Sequence, residues 1–229
     1  MNRTKSNKPS TLIDHLIELR SRLLNSFIFF IVIFLVSYFF SEEIYRFLVK
    51  PYSDSIIENN LDRKLIFTAL HEAFLTYLKV AFFSALFLTS PVFLTQIWKF
   101  IAPGLYQNEK NAFLPYLILT PILFLIGGVL VYCLIMPLAI NFFLGFEYSG
   151  SSSAIPIQLE AKVNEYLSLV MRLIFAFGLS FQLPVVLSLL ARVGFIDSKF
   201  LIDRRKYFVV IIFTFAAILT PPDPITQIG

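Results

Sequence analysis

The chain has 229 residues, of which 57% are hydrophobic and only 15% charged, with a mean hydropathy of +0.76. Soluble domains carry about 25% charged residues, so an ordinary water-soluble globule is excluded. The net charge is +4 and cysteine occurs once, at Cys133 inside an apolar run, which excludes a disulfide framework and a cysteine metal site; the basic excess is that of cytoplasmic loops rather than a nucleic-acid footprint.

Just ahead of the first apolar run stands the segment Asp14-His15-Leu16-Ile17-Glu18-Leu19-Arg20-Ser21-Arg22. On a helical wheel Leu12, Leu16, Leu19 and Leu23 form one apolar stripe, while Asp14, Glu18, Ser21, Arg22 and Asn25 gather on the other side. Glu18 lies one turn before Arg22, the spacing of a helix-surface ion pair. The same carboxylate, held at headgroup level, is also placed to receive a guanidinium from another molecule.

A membrane span needs roughly 20 apolar residues to cross about 30 Å of hydrocarbon. Leu23–Phe40, Ala73–Phe93, Ala112–Met136 and Tyr166–Leu190 meet that requirement, the second interrupted by Lys79 and the fourth by Arg172 and Gln182. A fifth run, Tyr207–Leu219, would reach only about 20 Å. The first run is too long for the apolar stretch of a cleavable leader, so it is predicted to be retained. The predicted class is all-α, a single polytopic membrane domain over residues 1–229 with five spans. Lys and Arg concentrate on the side holding the N-terminus, which predicts that side to be cytoplasmic.

Between the first two spans, Ile44–Val49 ahead of Pro51 predicts a short interfacial helix. Pro91, Pro115, Pro121, Pro137 and Pro184 all fall within or beside spans; each removes a backbone donor, so kinked helices and a cupped surface are expected.

Most catalytic templates fail. There is no phosphate-binding glycine loop, and His15 and His71 lack metal-ligand spacing, so neither an enzyme nor a cofactor is predicted. Inside the bilayer, Arg172 costs several kcal/mol unless it is paired, hydrated or snorkelling, and Glu165, seven residues earlier, lies on nearly the same face. Lys79 is expected to snorkel towards the outer surface. Gln182 needs an amide partner, supplied either by a neighbouring helix or by a hydrated cavity. Glu109, beside Lys110 in the loop after the second span, is by itself an ordinary solvated acid. Pro221-Pro222-Asp223-Pro224 ends the fifth run in a predicted outer turn.

Four segments in one order, HLIELRSR, FLTQIWKFIAPGLYQNEK, FGLSFQLP and LTPPDP, resemble the TatC family, the multispanning subunit of the twin-arginine protein translocase. The resemblance covers Leu12 to Gln227. It implies a receptor for twin-arginine signal peptides of folded cargo, with Glu18, Phe100 and Glu109 at the recognition patch. It also implies an oligomer with TatA- and TatB-type single-span partners, driven by the proton-motive force and embedded in lipid. Its location would be the cytoplasmic membrane of a bacterium or of an organelle of bacterial origin. The sequence departs from the family in two places: Gln182 stands where many relatives carry Glu, and the family's sixth span, beyond TPPDP, does not appear before Gly229. A small-solute transporter, which would show repeated halves with glycine-interrupted helices, and a membrane-embedded enzyme, which would show His, Asp or Ser clustered at one depth, are the alternatives from other classes.

Overall fold

The computed structural model describes residues 12–101, 110–147, 158–192, 194 and 196–219. Apart from one isolated bridge between Ile66 and Lys162, regular structure among them is helical. In order these are α1 (Leu12–Phe39), α2 (Ser41–Glu58), α3 (Glu72–Ile101), α4 (Lys110–Leu130), a π-helical turn (Val131–Ile135) and α5 (Met136–Leu144). Then follow α6 (Val163–Ser180), α7 (Leu183–Arg192), α8 (Ser198–Asp203) and α9 (Arg205–Leu219).

Four helical stretches among the described residues are long and apolar enough to cross a membrane: Leu16–Phe39, Glu72–Ile97, Pro115–Leu144 and Val163–Arg192. The fifth predicted span is present as α9, whose 15 residues measure about 22 Å, short of the hydrocarbon thickness. Conversely α1 and α3, with 28 and 30 residues, measure about 42 and 45 Å, so each carries a few turns more than a crossing requires. Polar residues near the start of α1 and the end of α3 are thereby held on rigid helix rather than on loops.

The prolines act locally, and in the second span the freed carbonyl finds a replacement donor. Pro91 removes the donor to the Phe87 carbonyl, which accepts instead from Ser90 Oγ at 2.6 Å. The π-helical turn lies just ahead of Pro137, at the point where the third span loses a backbone bond. Pro184 coincides with the break between α6 and α7 at Phe181–Gln182.

The expected short helix Ile44–Val49 is corrected to the longer α2, which runs through Pro51. The proline is tolerated because the Phe47 carbonyl it deprives accepts the Tyr132 hydroxyl at 2.8 Å, with the two rings stacked at 4.4 Å. The neighbouring Leu48 carbonyl accepts from Tyr166 at 3.1 Å. Asn60, at φ 52°, then closes α2: Leu61 N–H donates to the Ile56 carbonyl and Asn60 N–H to that of Ile57.

The principal core lies between α2, the third span and α6, around Leu48, Val131, Met136, Leu167, Val170 and Leu173. Beside it α4 and α6 approach through glycines. A methyl group on Gly127 would stand 2.8 Å from the Phe177 carbonyl oxygen, and one on Gly178 2.8 Å from the Phe124 ring. Small residues set close helix contact where lipid supplies no hydrophobic drive of its own.

Candidate functional site at the α1–α3 edge

α1 and α3 run antiparallel, a register fixed by Phe30 and Phe34 of α1 packing edge-on to Phe82 of α3 at 5.5 and 6.4 Å, and by Arg22 meeting Gln96 nearer the N-terminal face. The N-terminal end of α1 therefore meets the C-terminal end of α3. One turn before Arg22 is Glu18 and one turn beyond Gln96 is Phe100, so the register brings both to the same level. Phe100 is half-buried.

Glu18 and Arg22 form the pair that their spacing predicted. Arg22 donates through Nε at 3.0 Å and through Nη2, both to Glu18 Oε1. Its remaining nitrogen, Nη1, donates to Gln96 Oε1 at 3.0 Å. The backbone beneath is steadied by Ser26, buried, whose hydroxyl donates to the Arg22 carbonyl at 3.0 Å. A carboxylate is thus presented at the rim of a long helix, oriented by a guanidinium that is itself anchored to the neighbouring helix. Gln96 is the participant that sequence reasoning missed. Its only local signal is the four-residue spacing from Phe100, which places both on one face of α3.

Glu109, Pro221, Pro222 and Asp223 lie outside the described residues. The intramembrane polar residues do not join Glu18. Gln182, buried at the α6–α7 break, donates its amide to the Thr120 carbonyl at 3.0 Å, a helix-to-helix bond across the glycine-lined contact. Of the alternatives open to Arg172, pairing with Glu165 is not the one the structure shows. Seven residues separate them by about 10 Å along the axis, whereas Lys162 is one turn from Glu165 and pairs with it at 3.6 Å. Arg172 is exposed on α6 and has no ion-pair partner among the described residues. Lys79 extends towards the first turns of α6, donating to Asn164 Oδ1 and to Ser168 Oγ. It lines, with Phe34, Phe82, Lys162 and Glu165, a groove of about 670 Å³ at the end of the bundle away from Glu18.

That opposite end is knitted by a second arginine–carboxylate pair. Arg63 donates Nε to Glu147 Oε1 at 3.0 Å and Nη2 to Oε2 at 3.1 Å, and Leu159 N–H donates to Oε1 at 2.8 Å. The Arg63 hydrogen bond, helped by Leu159 and opposed by burial, holds the Glu147 carboxyl below the usual range; the Arg63 guanidinium is correspondingly raised by Glu147. Beside them Ile66 exchanges backbone bonds with Ala161 and Val163.

A polytopic helical membrane protein with a carboxylate on one rim is the class that this architecture defines. The profile of the family described as TatC, Sec-independent protein translocase protein, matches residues 14–229. The chain is 51% identical over 95% of its length to the Sec-independent protein translocase protein TatC of Magnetococcus marinus, covering 77% of that relative. It is 38% identical over 94% of its length to TatC of Escherichia coli strain K12, covering 80% of it. A crystal structure titled Twin Arginine Translocase Receptor- TatC in DDM superposes with a TM-score of 0.77 at 35% identity, over 93% of this chain and 91% of that one. This chain belongs to the TatC family of Sec-independent protein translocase components.

Proposed function

We propose that the chain is the receptor subunit of the twin-arginine translocase, binding twin-arginine signal peptides of folded proteins at the α1–α3 edge. The observation that carries this is Glu18, held by Arg22 at the rim, at the level of Phe100. The matching crystal structure is that of a protein described as a twin-arginine translocase receptor, which supports the reading. A planar guanidinium presents a fixed fork of donors to a carboxylate, which a lysine ammonium cannot reproduce. Glu18 on α1 and Glu109, which precedes α4 in the sequence, together match paired arginines, while Phe100 and the exposed apolar side chains of Leu16 and Ile17 accept the signal's hydrophobic stretch. The N-terminal face is then cytoplasmic, within the cytoplasmic membrane of a bacterium or of an organelle of bacterial origin. TatA- and TatB-type single-span subunits complete the oligomer.

The test is binding of a fluorescent twin-arginine signal peptide to the chain in nanodiscs. Glu18→Gln combined with Glu109→Gln should weaken it by at least about tenfold, with the folded state retained. A twin-lysine peptide should bind the unaltered chain more weakly than the twin-arginine one. Unchanged affinity in the double variant would remove the assignment.

A further inference from the structure

The group that holds Glu18 in the structure is itself a guanidinium. Arg22 directs two of its nitrogens to Glu18 Oε1 and the third to Gln96. Building on the recognition role of Glu18 proposed above, we propose that Arg22 is a placeholder: it occupies Glu18 in the unliganded chain and is displaced when a signal arginine binds.

Three features of the geometry support exchange rather than a permanent lock. Both Arg22 bonds fall on Oε1, which leaves the second carboxylate oxygen outside the pair, where an incoming arginine can make its first contact. The side chains of Arg22 and Glu18 are 26% and 38% exposed, and a pair within one helix turn at this exposure is weak. Gln96 then gives Arg22 somewhere to stay: when Glu18 turns to the ligand, the guanidinium keeps its Nη1 bond to α3. The resting chain thereby avoids an uncompensated carboxylate at the edge of a low-dielectric phase, where an unpaired charge is costly. The incumbent lowers the affinity of every ligand that needs Glu18 by the same factor. Chance cations lose that same factor, and the preference for arginine, which comes from the fork geometry, is untouched.

The experiment measures twin-arginine and twin-lysine peptide binding to the full chain in nanodiscs for Arg22→Gln, Arg22→Lys, Glu18→Gln and the Glu18→Gln/Arg22→Gln double variant. Arg22→Gln should tighten binding of both peptides by about twofold, leaving their ratio unchanged. Arg22→Lys should gain less, because an ammonium still sits on Glu18 as a point charge. The gain should vanish in the Glu18→Gln background, which a general loosening of α1 would not do. If Glu18→Gln weakens binding but Arg22→Gln leaves it unchanged or weaker, the placeholder is wrong and recognition by Glu18 stands. A gain that survives in the Glu18→Gln background overturns it too. If Glu18→Gln itself changes nothing, the recognition reading fails and the placeholder fails with it.

Discussion

At the N-terminal end of the bundle, Arg22 reaches Glu18 within a single helix, using one carboxylate oxygen, with the side chains 26% and 38% exposed. At the other end Arg63 meets Glu147 across 84 residues, uses both oxygens, and is covered to 18% and 13% exposure, with a third donor from Leu159. The residue types are identical and the consequences are not. A fork-to-fork pair that joins three segments of chain can only be broken by separating those segments, so it fastens the connections at that end of the bundle. A pair along one helix turn holds nothing together that the helix does not already hold. It costs little to open, which suits the ligand-receiving role proposed for Glu18.

Glu147→Ala should have the largest effect on stability, lowering the thermal midpoint in nanodiscs by about 5 °C, because Arg63 and the Leu159 N–H are left unpaired in a largely covered site. A midpoint unchanged within error would make the two arginine pairs equivalent and remove the comparison. Tyr132→Phe should come next, at about 1 kcal/mol, by withdrawing the donor from the Phe47 carbonyl that Pro51 leaves open. Hydrogen exchange should localise the loss to α2; protection that falls evenly across the bundle would refute this account of the proline.

Acid should weaken the Arg63–Glu147 pair. The Glu147 carboxyl is held low in the folded chain, so its contribution is present at neutral pH. That contribution starts to be lost as pH falls through the ordinary glutamate value of about 4.3, and is gone once pH is below the depressed folded value. Thermal midpoints between pH 7 and pH 3 should therefore drop more steeply for the unaltered chain than for Glu147→Gln, and parallel curves would contradict the assignment. The smallest effect is expected from Glu18→Gln, at most about 0.5 kcal/mol of stability. A loss comparable to that of Glu147→Ala would mean that the rim pair is structural.

Local patterns in the sequence carried much of this. Runs of about 20 apolar residues mark spans whatever their neighbours do, because an unsatisfied backbone cannot sit in hydrocarbon and only helix satisfies it within the segment. A four-residue spacing likewise predicts the Glu18–Arg22 pair, since both ends lie on one helix and need no other element. Tertiary structure decided the rest. Gln96 belongs to the site only because α1 and α3 are antiparallel in a particular register. α2 continues through Pro51 only because a hydroxyl from the third span reaches Phe47. Glu165 turns to Lys162 rather than Arg172 because contact distance on a helix outweighs a shared face. Arg63 and Glu147 meet across 84 residues with no periodicity linking them, and partners of that kind are set by which loops the packed helices bring to one end.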